Sequence, residues 1–412
     1  MPCFKSQEME QLLKKYPDMS PYVLLKISLI RYGAILTKSA ETRLMEKDLS
    51  FNTEEAFGIQ FQKERKPCVM PGPILLRDSS FVYINWGETY RNPYVVDYDP
   101  KEQKFTLLDD GTVVDEIGFV LRPSFFGKKT RRGIPMEEIA DARPQKLVMT
   151  TYRKCIFREM NQQCKFCAFF TNGYDGEIAV NPEDIGDVVA EALRESGRFS
   201  EIQLSGGTDL SGKPQFENEV NRYIADWQAI GRHMSGRFPS QLMAPAYPKE
   251  LLRRIYDNTQ ITSYSPDLEI ADKRVFEKYC PGKDRYIGYD NWIRRLVGAV
   301  DVFGAGNVYT QVVAGAEMAG PDGIHDMEEA LESNFRVCEM LAKNGVIFLS
   351  MIWRPHRAED LGYVEMPPME YYVKLAKGLH EIRTSYGLHA EDDDYKHCGD
   401  HADSDLERTD YL

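Results

Sequence analysis

Apolar positions change their period once along this chain. Up to about residue 145 the pattern is mixed. Residues 9–36 carry apolar side chains at helical spacing, interrupted by Pro17 and Pro21. Short alternating runs follow at 81–85, 94–98, 104–108 and 116–121, the period of half-buried strands. Asp109-Asp110-Gly111 sits between the third and fourth runs and predicts a hairpin turn. Residues 1–145 therefore predict a mixed, β-rich N-terminal unit.

From residue 146 strand-like and helix-like runs alternate. Strands are predicted at 146–151, 201–205, 241–244, 261–265, 307–314 and 346–352. Helices are predicted at 182–193, 216–231, 248–256, 271–279, 289–303, 327–343 and 367–386, the first opened by the Asn181-Pro182 cap signal. Such alternation means a parallel sheet. Six strand–helix units suit an open barrel better than a closed eightfold one. The predicted fold class is α/β: a partial (β/α)6 TIM-like barrel over 146–386, with the β-rich appendage before it and an acidic tail, 387–412, after it.

Composition narrows the function classes. With 42% hydrophobic residues a large core is available, and a net charge of −13 argues against nucleic-acid phosphate as partner. The first residues lack an apolar signal core, and the most apolar stretches, such as 346–353, are too short to span a bilayer. A soluble cytoplasmic protein is expected. The eight cysteines are mostly isolated, unlike a secreted disulfide framework.

Three of them are grouped. Cys155, Cys164 and Cys167 follow the first barrel strand, with eight residues between the first two and two between the last two. Three thiolates fill three corners of a 4Fe–4S cluster and leave one iron open to a ligand. A zinc site with a fourth ligand elsewhere is the alternative. Other polar and glycine residues fall just after predicted strands: Gly206-Gly207-Thr208 after the second, Asp267 and Glu269 after the fourth, Gly315 and Glu317 after the fifth, Arg354 and His356 after the sixth. Active sites of βα barrels lie at that end of the strands. Glu269 also fits as a helix-capping acid, a role Asp272 fills equally well. Arg295 fits a solvated helix face, and His356 an ordinary loop position. In the tail, His397, Cys398 and His401 could hold a second metal or cluster, or the tail could be solvated or form a lid. Cys3, Cys68 and Cys280 show no spacing logic, and Cys338 reads as core.

These residues resemble the radical S-adenosylmethionine (SAM) superfamily over about 146–360. The long first gap between cysteines is similar to a smaller biotin-synthase-like group, some of whose members are encoded beside nitrilase genes. The resemblance implies that Cys155, Cys164 and Cys167 hold a 4Fe–4S cluster and that SAM chelates its open iron. It implies Phe166 against the adenine and Gly206-Gly207 beside the SAM amino group, with Thr208 where an acid is usual. Asp267 and Glu269 would contact the ribose or amine, Arg295 (or Arg294) the carboxylate, and the segment with Gly315 and Glu317 the adenine. The implied activity is reductive cleavage of SAM to a 5′-deoxyadenosyl radical that abstracts hydrogen from a small molecule in a biosynthetic step. Arg354, His356 and Glu317 would orient that substrate. A ferredoxin- or flavodoxin-type donor is implied as partner. A methyltransferase, or a sulfur-inserting enzyme with a second cluster, is the alternative within the family.

Overall fold

The computed structural model describes residues 7–47, 73–86, 92–169, 177–356, 358–362, 364–390 and 399–409. The first helical stretch divides at its prolines into α1 (Gln7–Lys15) and α2 (Pro21–Tyr32). Pro21 stands in the first turn of α2, where a missing N–H costs nothing. Every residue of α2 from Val23 to Ile30 is buried, so this helix is central rather than peripheral. Then come β1 (Ala34–Leu36), α3 (Lys38–Lys47), β2 (Ile74–Leu76), β3 (Phe81–Val82), β4 (Tyr94–Asp99), β5 (Lys104–Asp109) and β6 (Thr112–Phe119). They form a sheet ordered β1-β4-β5-β6-β2-β3. Asp110 and Gly111 both take positive φ, 51° and 76°, the two-residue turn that suits the twist of a hairpin.

The second sheet is the barrel. It contains β7 (Ala140–Arg143) and β8 (Lys146–Tyr152), followed by α4 (Ile156–Glu159) and α5 (Pro182–Ala192). Next are β9 (Glu201–Gly206), α6 (Glu217–Gly231), β10 (Ser240–Met243), α7 (Lys249–Asn258) and β11 (Ser263–Ser265). Three helices follow, α8 (Lys273–Tyr279), α9 (Pro281–Tyr286) and α10 (Tyr289–Phe303). The barrel ends with β12 (Val308–Ala314), α11 (Met327–Ala342), β13 (Val346–Ile352) and α12 (Met369–Ser385); α13 (Asp405–Thr409) comes last. Asn181 Oδ1 accepts from Glu183 N at 2.9 Å and starts α5 as the sequence predicts.

The order is β13-β12-β11-β10-β9-β8-β7, with β8 to β13 all parallel and the two ends unpaired with each other. The result is an open, six-stranded partial TIM-like barrel. The short antiparallel edge strand β7, paired to β8, is an addition to the sequence reading. Outward side chains such as Ile202, Leu204, Leu242 and Tyr264 are fully or nearly buried under the helices.

One part of the tail, 399–407, departs from the solvated reading. Far from being solvated, residues 401–407 are all buried. Arg383 of α12, with no exposure, pairs with Asp403 at 2.6 Å and Glu407 at 2.9 Å. Lys26 of α2 pairs with Asp405 at 2.6 Å, both side chains 1% exposed. Ile352 N donates to Asp400 O at 3.0 Å, so the segment runs against the end of β13. Two buried cations make burial of this acidic segment tolerable. His397 and Cys398 lie outside the described residues, as do Cys3 and Cys68. Among the described residues no helix is long and apolar enough to cross a membrane.

Candidate functional site

The loop after β8 is pinned on three sides. Ile156 N donates to Thr208 O at 2.9 Å, just past β9. Lys165 N donates to Tyr279 O at 2.9 Å, and Gly282 N to Gln162 O at 3.0 Å, at the α8–α9 corner. Leu361 N donates to Lys165 O at 3.0 Å, beyond β13. A Cβ on Gly207 would press on the Lys154 carbonyl and lie 2.8 Å from Cys155 N. The second glycine is therefore required by the cysteine loop itself, which crosses the end of β9 at backbone contact. Gly282 does the same on the other side, where a Cβ would come within 2.5 Å of the Phe157 ring.

So held, the loop brings all three half-buried cysteines to the wall of one cavity of about 400 Å³. Phe166, Gly206, Gly207 and Thr208 share that wall. Asp267, Glu269, Arg354 and His356 complete the set of predicted residues that the fold gathers there, together with His401 of the tail. Burial raises the Cys155 thiol. A hydrogen bond with Cys280, then burial, pushes Cys164 well up. Burial and the two neighbouring thiols push Cys167 up to about 12. Among the described residues, no three His, Cys, Asp or Glu side chains already stand in a metal-holding arrangement. The donor set still suits an iron–sulfur cluster or zinc: three mutually interacting thiols on one loop facing one cavity. The fully buried Cys280, without apparent logic in the sequence, is the neighbour of Cys164.

Lys283 is the residue that sequence reasoning missed. It lines the cavity from α9. Its Nζ lies 2.6 Å from Glu269 Oε1 and 2.8 Å from Asp267 O, and 4.5 Å from the Trp292 ring centroid. Burial works against the ammonium, but the Glu269 charge, the Cys164 and Cys280 thiols and the hydrogen bond to Glu269 together hold Lys283 above its ordinary range. Burial, with the Glu269 charge second, raises the Asp267 carboxyl to about 7. That carboxyl accepts from Ser265 Oγ at 3.0 Å and Gln311 Nε2 at 2.9 Å. Glu269 sits at φ +72°, rare for a residue with a side chain. It is kept there by Glu269 N to Gln311 O, 2.9 Å, and Val313 N to Glu269 O, 2.8 Å. The capping role falls to Asp272, whose Oδ1 accepts from Val275 N at 3.0 Å. The signal available was a lysine in the Pro-Gly-Lys turn following the paired acids.

The rim beyond β13 is also charged. Arg354 lies 3.2 Å from Asp400 Oδ2 and over the Tyr83 ring. His356 Nδ1 accepts from Ala358 N at 3.1 Å. Glu359, not singled out by the sequence, lines the cavity with its carboxyl raised by burial to about 8.

Three predicted residues lie off this wall. Arg295 donates to Ala246 O at 2.7 Å and ties α10 to the loop after β10. Gly315, at φ +96°, turns the chain where a Cβ would meet Tyr372 Oη at 2.5 Å. Glu317 is buried. It accepts from Gly315 N at 2.7 Å and Asn334 Nδ2 at 3.2 Å, and from the Tyr371 hydroxyl, and so braces β12 against α11 and α12.

No family model matches the chain, and no curated protein matches it. Among solved structures it is similar to HydG, a maturase of the [FeFe]-hydrogenase, at 14% identity and TM-score 0.43, covering 58% of this chain and 49% of that one. It is also similar to a radical SAM methyltransferase from Sphaerobacter thermophilus, at 14% identity and TM-score 0.42, covering 72% and 76%. A third is the cobalamin-dependent S-adenosylmethionine radical enzyme OxsB, at 14% identity and TM-score 0.33, covering 57% and 30%. The chain thus spans about half the length of the HydG chain and less than a third of the OxsB chain.

Proposed function

We propose that this chain is a radical SAM enzyme of the biotin-synthase-like kind, acting on a small molecule inside the barrel. The observation that carries the reading is the loop after β8. It delivers Cys155, Cys164 and Cys167 to a cavity shared with Asp267, Glu269 and Lys283. The three thiols would hold the cluster, with Cys164 exchanging its bond to Cys280 for iron. When bound, cluster and SAM together supply an electron and a carbon-centred radical able to abstract hydrogen. The protein's own part is positioning. Lys283 is the cavity-facing cation suited to a carboxylate, in place of Arg295. Asp267 and Glu269 are acceptors for amino and hydroxyl groups, and Phe166 offers a flat apolar face. Tyr83, just after β3, donates its N–H to Gly399 O at 3.4 Å, and Asp400 O accepts from Ile352 N at 3.0 Å, so this part of the chain would cover the open edge at β13 and limit water there. A soluble cytoplasmic setting and a ferredoxin- or flavodoxin-type donor belong to the same reading.

Anaerobically purified protein should carry about four irons and four sulfides per chain and be brown. With SAM and dithionite it should release 5′-deoxyadenosine, and Cys155→Ala, Cys164→Ala or Cys167→Ala should abolish release. Colourless protein, or full release by those variants, would sink the proposal. Iron near twice that count would favour a second cluster and the sulfur-inserting alternative.

The contact between Cys164 and Cys280 favours a second reading, a four-thiol zinc site that only stabilises the loop. Cys280→Ser separates the two. The enzyme reading expects iron content and SAM cleavage to persist; the zinc reading expects one bound zinc in the parent and its loss in the variant.

A further inference from the structure

The interior of this barrel is built of the wrong residues for a packed core. Barrel interiors are ordinarily filled by bulky branched apolar side chains. Here β9, β10 and β12 each turn a glutamine toward the cavity: Gln203, Gln241 and Gln311. On β8 to β13 the charged cavity residues are Lys146 and Glu201, which neutralise each other at 3.1 Å.

Gln203 and Gln241 stand directly opposite each other in the β9–β10 register. Gln203 Nε2 donates to Gln241 Oε1 at 2.9 Å and also meets the Met243 sulfur. Gln203 is only 4% exposed, yet its Oε1 has no hydrogen-bond partner among the described residues. Gln241 Nε2 is left as an open donor in the same cavity. The pair therefore presents one acceptor and one donor side by side. Exchanging O and N in both side chains reverses the ladder and again leaves one of each, so the result does not depend on how the amides are assigned. A buried acceptor without a partner is destabilising unless a ligand satisfies it.

We infer that the barrel interior binds an uncharged substrate through an amide-type group, with N–H and C=O meeting Gln203 and Gln241 together. This rests on reading the barrel interior as the substrate site of the proposed enzyme. A carboxylate lacks the donor and finds no unpaired cation among these strands. An ester likewise lacks the donor. A hydroxyl can meet both groups only through its single oxygen, whereas an amide offers a separate atom to each. Gln311, whose Nε2 is bonded to Asp267 at 2.9 Å, connects this pair to the charged rim.

Ligand-observed NMR on the full-length chain tests it with nicotinamide, nicotinate, methyl nicotinate and erythritol as probes. Nicotinamide should bind at least about tenfold more tightly than the other three, because a site with buried polar groups rejects analogues that leave them unpaired. Gln203→Leu and Gln241→Leu should each weaken nicotinamide at least about tenfold. The double variant, which removes both halves of the ladder, should melt at or above the parent temperature and still not bind. If a single variant fails to fold, the wild-type probe series and the double variant decide. Comparable binding of nicotinate or erythritol, no binding of nicotinamide, or unchanged binding in the double variant overturns the inference. The readout is binding without SAM cleavage, so its failure is distinct from failure of the iron and deoxyadenosine tests.

Discussion

Glu269 and Lys283 show how much of this site is decided one side chain at a time. A left-handed backbone at Glu269 aims its carboxylate at an ammonium fourteen positions later. Lys283→Met should weaken SAM binding to cluster-loaded protein at least about tenfold, whereas Arg295→Met should change it less than about threefold. Titration calorimetry under anaerobic conditions checks both. Glu219 carries a separate prediction. It is fully interior and accepts from Asp209 N and the Tyr247 hydroxyl, and burial raises its carboxyl to about 8. Folding then favours the protonated form. The associated stability is complete below the ordinary carboxyl range near 4.5 and is lost as pH rises through about 8. Glu219→Gln should remove a slope of up to about 1.4 kcal/mol per pH unit between pH 5 and 8. Urea unfolding across that range measures it; identical slopes for parent and variant would refute the assignment.

At the scale of elements, the site depends on how the cysteine loop is clamped. Gly207→Ala forces the β9 end away from Lys154 and Cys155. Iron content should fall severalfold, with far-ultraviolet circular dichroism near that of the parent, because the clash is local to the loop. Normal iron loading would show that the loop tolerates the displacement. The barrel strands were legible in the sequence because short strand-like runs, the most apolar at 146–151, 307–314 and 346–352, alternate with runs of helical period. The edge strand β7 was not, since Ala140-Asp-Ala-Arg is short and half polar. Nor was α9, six residues beginning Pro-Gly, which carries Lys283 to the cavity.

For the whole molecule, the C-terminal segment joins the N-terminal helix to the barrel through Lys26–Asp405 and Arg383–Asp403–Glu407. Asp405→Ala leaves Lys26 buried without its partner and should cost about 3–5 kcal/mol, measured by urea denaturation. The double variant Lys26→Met, Asp405→Leu should recover most of that loss. If Asp405→Ala costs under about 1 kcal/mol, the pair does not hold the two ends together. The acidic composition of 387–412 pointed toward solvent because its counter-charges lie elsewhere, Lys26 being 379 positions from Asp405.

The amino-acid sequence by itself determined the period of each strand and helix, the six-unit alternation and the spacing of Cys155, Cys164 and Cys167, since these are local properties of the chain. Only the tertiary structure decided which charges meet. It brought Lys283 to Glu269 and Cys280 to Cys164, turned Glu317 and Arg295 to other partners, and buried the acidic segment. The physical reason is range: periodicity is set by neighbours along the backbone, whereas pairing of charges and thiols depends on where packing places distant residues.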